Sequence, residues 1–306
     1  MEAEHSTKTK VPLAIFVLPS KISPLSRRMK TVGYQRSGRR AAAIFSLFLF
    51  LSACSSKVER TMDEVFEQSY EIEPAASLSI RNPNGLIEIH GTNTSQVQLR
   101  ATKKAKSAAQ LKNIGVNVAA QTDSISITTI FLRQKNIANA MASGTIGYSL
   151  TVPATIMLHR VDLDDGKISI EGMRGPELRA SIVDGQLAIH NCFGNAHLTV
   201  ANGALDIFYD RFEGHPFAVD AQITNGNARV FIPRGGSFHV RAETTTGEIV
   251  NEFANQVELN GHTGRKIDVS VGKSERSEIK LRVTTGDITI AEAKSEIENT
   301  TRNGSE

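Results

Sequence analysis

Residues 163–170 read LDDGKISI, residues 182–189 read IVDGQLAI, and residues 200–207 read VANGALDI. In each stretch an Asp or Asn precedes a Gly, and apolar residues follow that Gly at the second and fourth positions. Residues 223–230, ITNGNARV, keep the pattern with Ala and Val at the two apolar positions. Because side chains alternate between the two faces of a strand, this spacing predicts a strand with one buried face after each turn.

Weaker copies extend the pattern toward both ends of the chain. Asn84-Gly85 stands alone near the start, and three Thr-Gly pairs, at 246–247, 263–264 and 285–286, continue the series. Successive glycines from Gly166 to Gly286 are 17 to 23 residues apart, and a period near twenty residues is typical of a repeat architecture. The glycines expected at structural turns are Gly85, Gly166, Gly185, Gly203, Gly226, Gly247 and Gly286.

Two fold classes can use this repeat. Asn-Gly and Asp-Gly turns commonly join antiparallel strands, which leaves a β-sandwich as the alternative. In a β-solenoid, stacked units about 4.8 Å apart would instead align Ile168, Leu187 and Leu205 in one apolar column. Because the same turn recurs at the same place in each unit, we expect an all-β chain with a parallel β-helix-like solenoid of about six or seven rungs.

The other segments of the chain have different patterns. Alternation from Leu78 onward predicts a β-rich N-terminal section over residues 75–152, followed by the solenoid repeats over residues 153–290. Within the first section, residues 103–113 (KKAKSAAQLKN) are the best helix candidate, and residues 132–147 are expected to form a loop. The polar stretches 54–74 and 291–306 are expected to be a tether and a tail.

Residues 1–53 have the features of an export signal. From Met29, which is an alternative start, a basic segment precedes ten apolar residues at 41–50 and then a site of small residues. The apolar part is shorter than the roughly 18 to 20 residues that a membrane-spanning helix needs. We therefore expect a signal segment at residues 1–53.

The end of this segment matches the lipobox of bacterial lipoproteins at four positions, Leu51, Ser52, Ala53 and Cys54. The resemblance implies that Cys54 becomes the first mature residue and carries a diacylglyceryl thioether and an N-acyl chain. Several acyl chains at about 0.8 kcal/mol per buried methylene make a firm membrane anchor. Ser55, rather than Asp, follows the cysteine, which favours a cell-envelope location in the outer membrane.

Removal of the signal changes the charge of the chain. The whole sequence has 35 Lys and Arg against 32 Asp and Glu, a formal net charge of +3. Residues 1–53 hold nine of the basic and two of the acidic groups, so 26 basic and 30 acidic groups remain, a net charge of −4. A mildly acidic domain gives no electrostatic reason to bind nucleic acid, and we expect no nucleic-acid partner.

Two polar clusters resemble metal sites, and each has a simpler interpretation. The DLDDG stretch at 162–166 lacks the Gly and Glu that an EF-hand loop needs at its sixth and twelfth positions. His190 and Cys192 fall on one predicted strand face near His197, but Cys192 aligns with Met173 of the preceding repeat, which favours a packed thiol. The sequence also lacks a Gly-x-Ser-x-Gly elbow and a complete P-loop, so we expect no enzyme, cofactor or metal.

The mature chain resembles the bacterial "putative adhesin" domain family over residues 71–290. The resemblance is carried by NPNGLIEIHG at 82–91, the helical insertion after Leu99, SLTVP at 149–153, VDLDDGKISIEG at 161–172 and the serial turns. It implies a β-solenoid-like fold and a cell-surface role, and it assigns no catalytic residues.

These observations predict an envelope-anchored lipoprotein whose non-catalytic, adhesin-like solenoid binds a protein or glycan partner. A carbohydrate-active β-helix enzyme and a structural or regulatory envelope component are the alternatives. Several aromatic residues of the repeats could stack on a sugar ring, although most also fit strand or turn packing. These residues are Phe193, Phe208, Tyr209, Phe212, Phe217 and Phe231.

Overall fold

A computed structural model of the protein describes residues 61–132, 144–213, 215–233, 235–252, 263–271 and 277–293. Within these ranges the chain forms sixteen strands and one short helix, α1 Ala108–Asn113. The strands are β1 Met62–Glu71, β2 Ser77–Thr92, β3 Gln96–Ala105, β4 Ile114–Ala120, β5 Ser124–Phe131, β6 Thr145–Pro153, β7 Met157–Glu171, β8 Glu177–His190, β9 Asn195–Phe208, β10 Ala218–Ile232, β11 Phe238–Thr246, β12 Ile249–Asn251, β13 Thr263–Gly264, β14 Lys266–Val271, β15 Glu278–Thr285 and β16 Ile288–Glu292.

The centre of the fold is a stack of parallel strands. Strands β2, β7, β8, β9 and β10 pair in that order, each parallel to the next. Strands β15 and β16 then pair with β10, and β11 and β12 pair with β15 and β16 on the far side. Parallel pairing of successive repeats is the arrangement of a solenoid, which confirms this prediction over the β-sandwich.

The turn glycines lie directly above one another. The strand register pairs Gly85 with Gly166, Gly166 with Gly185, and so on to Gly226, and the column continues through Gly286 to Gly247. All seven have φ between 130° and 144°, a conformation that side-chain-bearing residues rarely adopt. Gly85 is therefore the first member of the column and is not an isolated copy.

Apolar columns run beside the glycines and form one core. Ile168, Leu187 and Leu205 are in register and fully buried, as the sequence predicts. A second column passes through Ile170, Ile189 and Ile207 in the same strands. Burial of successive isoleucines and leucines, at about 1.5–3 kcal/mol each, is the main stabilising contribution to the stack.

Antiparallel strands close both ends of the stack in the described part of the chain. At one end β5 and β6 add a further parallel rung on β2, and β4 and β3 then pair with them in the antiparallel sense. At the other end β14 and β13 pair antiparallel with β11 and β12. The change of direction ends the parallel repeat, and the described sheet remains open, with β1 and β14 at the two ends of its strand order.

Several predicted segments differ from the structure. Strand β1 lies within the stretch expected to be a tether, because Phe66 and Tyr70 pack against the core and all ten residues of the strand pair with β3. The helix is shorter than predicted, since residues up to Ala105 belong to β3 and Ser107 caps the helix through a hydrogen bond from the Gln110 backbone N–H. Strand β6 begins at Thr145, inside the expected loop, whose residues 133–143 lie outside the described ranges.

The last three repeats also differ from a simple series. The Thr263-Gly264 copy forms β13, which runs antiparallel to β12 and adds no parallel rung. The C-terminal pair β15 and β16 lies between β10 and the pair β11 and β12, although it comes later in the chain. The final rung is therefore inserted between two rungs that precede it in sequence.

Candidate binding groove

The lipobox prediction concerns residues outside the described ranges. Leu51, Ser52, Ala53 and Cys54 all precede Thr61, where the described structure begins. No helix among the described residues is long and apolar enough to cross a membrane. Lipidation of Cys54 remains a prediction from the sequence.

The three residues that resembled a metal site have other partners, and His197 lies on β9 with its Nε2 3.9 Å from Glu177. Cys192 is buried, and its Sγ lies 3.5 Å from the carbonyl oxygen of Ile170. Burial raises the pKa of its thiol to about 12, so the thiol is a packed neutral group. His190 is only half-buried and contacts two carboxylates, with its Nε2 2.7 Å from Asp210 and its Nδ1 3.4 Å from Glu171. No metal-binding group of three or more His, Cys, Asp or Glu is found in the described ranges.

The aromatic residues of the repeats divide into core and surface groups. Phe193, Tyr209 and Phe217 are buried, and the rings of Tyr209 and Phe217 stack with their centroids 4.4 Å apart. The Tyr209 hydroxyl donates a hydrogen bond of 2.8 Å to the backbone carbonyl of Cys192. Phe208 and Phe231 are half-buried, with their ring centroids 5.5 Å apart. The buried group belongs to the turns that connect successive rungs.

Those connecting turns enclose a groove of about 630 Å³. They follow β7, β8 and β9, and their described residues are 172–176, 191–194, 209–213 and 215–217. We call the space between them the return-turn groove. The buried rings of Phe193 and Phe217 line it together with the exposed Pro176 and Pro216. The groove therefore has an apolar lining formed by three consecutive turns.

An ion pair fixes one wall of the groove across two rungs. Arg174 donates two hydrogen bonds to Glu213, of 2.8 Å from Nε and 2.6 Å from Nη2, and a third of 2.8 Å from Nη1 to the Gly172 carbonyl. The Arg174 guanidinium also lies 5.7 Å from the ring centroid of Phe193. Phe193 belongs to the β8–β9 turn, which lies between the β7–β8 turn of Arg174 and the β9–β10 turn of Glu213. Bidentate pairing of this kind fixes geometry as well as adding energy. The pair holds the β9–β10 turn against the β7–β8 turn.

The charged residues of these turns are balanced, since Arg174 and Arg211 are matched by Asp210 and Glu213. Arg211 also donates to Glu213, over 2.9 Å, so two guanidinium groups share one carboxylate. The hydrogen bond from Arg174, followed by that from Arg211, lowers the pKa of the Glu213 carboxyl below its usual range. The titratable side chains that line the groove are Arg174 and His215, and no carboxylate is among the lining residues.

The groove offers contacts for binding a ligand. Asn195 adds an exposed amide, which both donates and accepts hydrogen bonds. The exposed Thr155 hydroxyl donates to the Pro74 carbonyl over 3.3 Å and keeps its acceptor lone pairs. Sequence reasoning singled out Phe193 and Phe217 as aromatic residues but missed Arg174, because its partner Glu213 is 39 residues away. Phe193 and Phe217 were the one available signal, since they lie at the turns, whereas Phe208 and Phe231 lie in β9 and β10.

The fold defines an open, parallel β-solenoid-like domain with a groove at its turns. Comparison with known families identifies it: the family described as Toastrack DUF4097 matches residues 67–291, and the chain belongs to this family. This match confirms the family resemblance stated from the sequence. It also confirms the expected β-solenoid-like fold class.

The chain is also similar, at low identity, to solved structures. One is described as a "putative cell adhesion protein" from Clostridium sporogenes, with 15% identity, a TM-score of 0.41, and coverage of 75% of this chain and 100% of that chain. Another is described as a "putative adhesin" from Bacteroides fragilis, with 11% identity, a TM-score of 0.26, and coverage of 75% and 97%. No curated protein matches the sequence.

Proposed function

We propose that this protein is a bacterial envelope lipoprotein, anchored through Cys54, that displays a non-catalytic, adhesin-like domain for binding a protein or glycan partner. The observation that carries the proposal is the lipobox at Leu51–Cys54 in front of a domain of this family. Seven residues lie between Cys54 and Met62, where β1 begins, and the eight Cα–Cα steps that join the two span at most about 28 Å when fully extended. A lipid at Cys54 would therefore hold the N-terminal end of the stack close to the membrane surface.

The anchor is tested by acyl labelling in a bacterium that produces the protein. Labelled palmitate is expected in the wild type and in Cys192→Ser, and not in Cys54→Ser. Cys192→Ser is the matched control because it makes the same change at the other cysteine, which the fold buries. Equal labelling of all three proteins, or of none, contradicts the anchor.

The binding role is tested by attachment of cells to surfaces coated with glycans or envelope components. Deletion of the protein is expected to reduce attachment, and Cys54→Ser is expected to reduce it as strongly, because a released domain cannot tether a cell. Attachment that does not change on deletion contradicts an adhesin-like role. Attachment that falls on deletion but is restored by Cys54→Ser shows that the anchor is not needed for it.

A further inference from the structure

Four lysines lie together at the N-terminal end of the stack, where the chain from Cys54 enters the fold. Residues 103–113, KKAKSAAQLKN, contain these lysines and no acidic residue, and they cover the end of β3 and all of α1. Met62, the first residue of β1, pairs with Ala105 inside this segment. The tether from Cys54 therefore joins the fold beside the lysines.

Three of the four lysines give this end of the stack a positive surface. Lys103 is buried, and its Nζ lies 3.0 Å from the carboxylate of Glu64, so its charge is matched. The strand register places Asp63 opposite Lys104. The exposed lysines are Lys104, Lys106 and Lys112. Together with Asp63 they have a formal net charge of +2, whereas residues 54–306 as a whole have a net charge of −4.

Exposed apolar side chains are concentrated at the same end of the stack. The described residues include six large apolar side chains that are exposed, and four of these lie in β1, in β5 or directly after β5. The four are Met62, Val65, Ile130 and Leu132. Met62 and Leu132 adjoin the helix, because Met62 pairs with Ala105 and the Leu132 N–H donates a hydrogen bond of 2.7 Å to the carbonyl of Asn113, the last residue of α1.

We call the surface formed by Met62, Lys104, Lys106, Lys112 and Leu132 the α1 corner. Lysines beside exposed apolar side chains are typical of a protein surface that lies on an anionic membrane. The apolar side chains enter the boundary between headgroups and acyl chains, and each lysine near the surface is attracted by the anionic lipids. The tether of at most about 28 Å from Cys54 ends at this corner, which places it nearest to the lipid anchor.

We infer that the α1 corner lies against the anionic phospholipid headgroups of the membrane in which the lipid of Cys54 is inserted. The three lysines face the phosphate groups, and Met62 and Leu132 contact the apolar part of the interface. This inference rests on the proposed lipid anchor and names a second contact between the domain and the membrane.

The first test measures the α1 corner without the lipid. It uses the mature chain, residues 54–306 with Cys54→Ser, which contains every described residue of the fold. Sedimentation with vesicles of phosphatidylcholine is compared with sedimentation with vesicles of equal parts phosphatidylcholine and phosphatidylglycerol. The chain is expected to bind the anionic vesicles more tightly, and added salt is expected to weaken this binding by screening the charges. Equal binding to both kinds of vesicle, or binding to neither, overturns the inference.

The second test removes charge from the corner in the same mature chain. Lys104→Gln with Lys112→Gln changes two lysines of the corner, and Lys167→Gln with Lys266→Gln makes the same changes at exposed positions on β7 and β14. The first pair is expected to weaken binding to the anionic vesicles at least about tenfold, and the control pair less than about twofold. Equal losses in the two variants overturn the assignment of the surface.

The third test removes an apolar contact. Leu132→Gln changes the corner, and Val183→Gln is the control because Val183 is also 44% exposed and lies on β8. Leu132→Gln is expected to weaken binding to the anionic vesicles about threefold or more, and Val183→Gln is expected to leave it unchanged. Unchanged binding in Leu132→Gln, with a loss in the lysine variant, would indicate a purely electrostatic contact such as an acidic protein makes, and it would overturn the membrane as the partner.

The anchor and the α1 corner can fail separately. If palmitate does not label Cys54 but the mature chain binds anionic vesicles through the corner, the anchor is wrong and the membrane contact stands. If palmitate labels Cys54 but the unlipidated chain binds neither kind of vesicle, the anchor stands and the inferred contact is wrong.

Discussion

At the scale of single residues, the stack depends on positions that have no side chain. A Cβ atom added to Gly166 would lie 1.9 Å from the carbonyl oxygen of Gly85 in the rung beneath. The same is true of Gly185 over Gly166, also at 1.9 Å, and of Gly203 over Gly185 at 1.8 Å. The turn needs a positive φ and the stack needs close backbone contact, so glycine meets both requirements at one position.

Substitution of Gly166 by Ala is expected to lower the free energy of unfolding by roughly 3 kcal/mol or more, through backbone strain and displacement of the adjacent rung. Gly147→Ala is the control, because a Cβ there would lie 3.8 Å from its nearest neighbour and its backbone needs no positive φ. The control is expected to change stability by less than about 1 kcal/mol. Urea denaturation measures both values, and equal effects would contradict the close stacking of the glycines.

Cys192 gives a second prediction at this scale. Because burial raises the pKa of its thiol to about 12, the reactive thiolate is scarce at pH 8 and the sulfur is covered by the fold. In a Cys54→Ser chain, we expect no reaction with a thiol reagent in the native state and one thiol per chain in urea. Rapid stoichiometric labelling of the folded protein would show that Cys192 is not packed in the core.

At the scale of elements, the sequence predicts what alternation can show and misses what depends on distant partners. The strands after each Gly were predictable, because Ile168, Leu187 and Leu205 recur at a fixed place after a turn residue. Strand β1 was not predictable in this way, because its backbone hydrogen bonds are made with β3, which begins 25 residues after the end of β1. The wall of the groove was missed for the same reason, since Arg174 and Glu213 meet only when two turns are stacked.

The Arg174–Glu213 pair predicts a dependence on pH. Its hydrogen bonds lower the pKa of the Glu213 carboxyl in the folded protein, and unfolding returns it to about 4.3. The pair therefore stabilises the folded state fully when the pH is above the pKa of the unfolded state. This contribution to stability is lost as the pH falls through the lowered pKa of the folded state. Since both side chains contact solvent, we expect the contribution to be less than about 1 kcal/mol.

Glu213→Gln is the variant that tests this dependence, and Glu248→Gln is the control at an exposed turn position. Glu213→Gln is expected to be less stable than the wild type at pH 7. At low pH the two are expected to have the same stability. Thermal unfolding across this range measures it. A constant difference, or an equal one in Glu248→Gln, would mean that the ion pair does not stabilise the wall.

At the scale of the whole molecule, the order of the rungs is not the order of the chain. Strands β10 and β11 are neighbours in sequence, but β15 lies between them and pairs with both. The sequence could not reveal this order, because Thr246-Gly247 and Thr285-Gly286 carry the same turn and each has an Ile at the second position after its Gly.

The inserted rung is tested most directly by disulfide cross-linking of exposed turn residues in a Cys54→Ser chain. Asn225 pairs with Thr285, and Thr285 pairs with Thr246, so Asn225 and Thr246 are separated by a whole rung. Cysteines at 225 and 285 are expected to form a disulfide under mild oxidation. The Cα atoms of residues 225 and 246 are two strand spacings, about 9.6 Å, apart, which is too far for a disulfide. A disulfide between 225 and 246, with none between 225 and 285, would show that the rungs stack in chain order and would contradict the insertion.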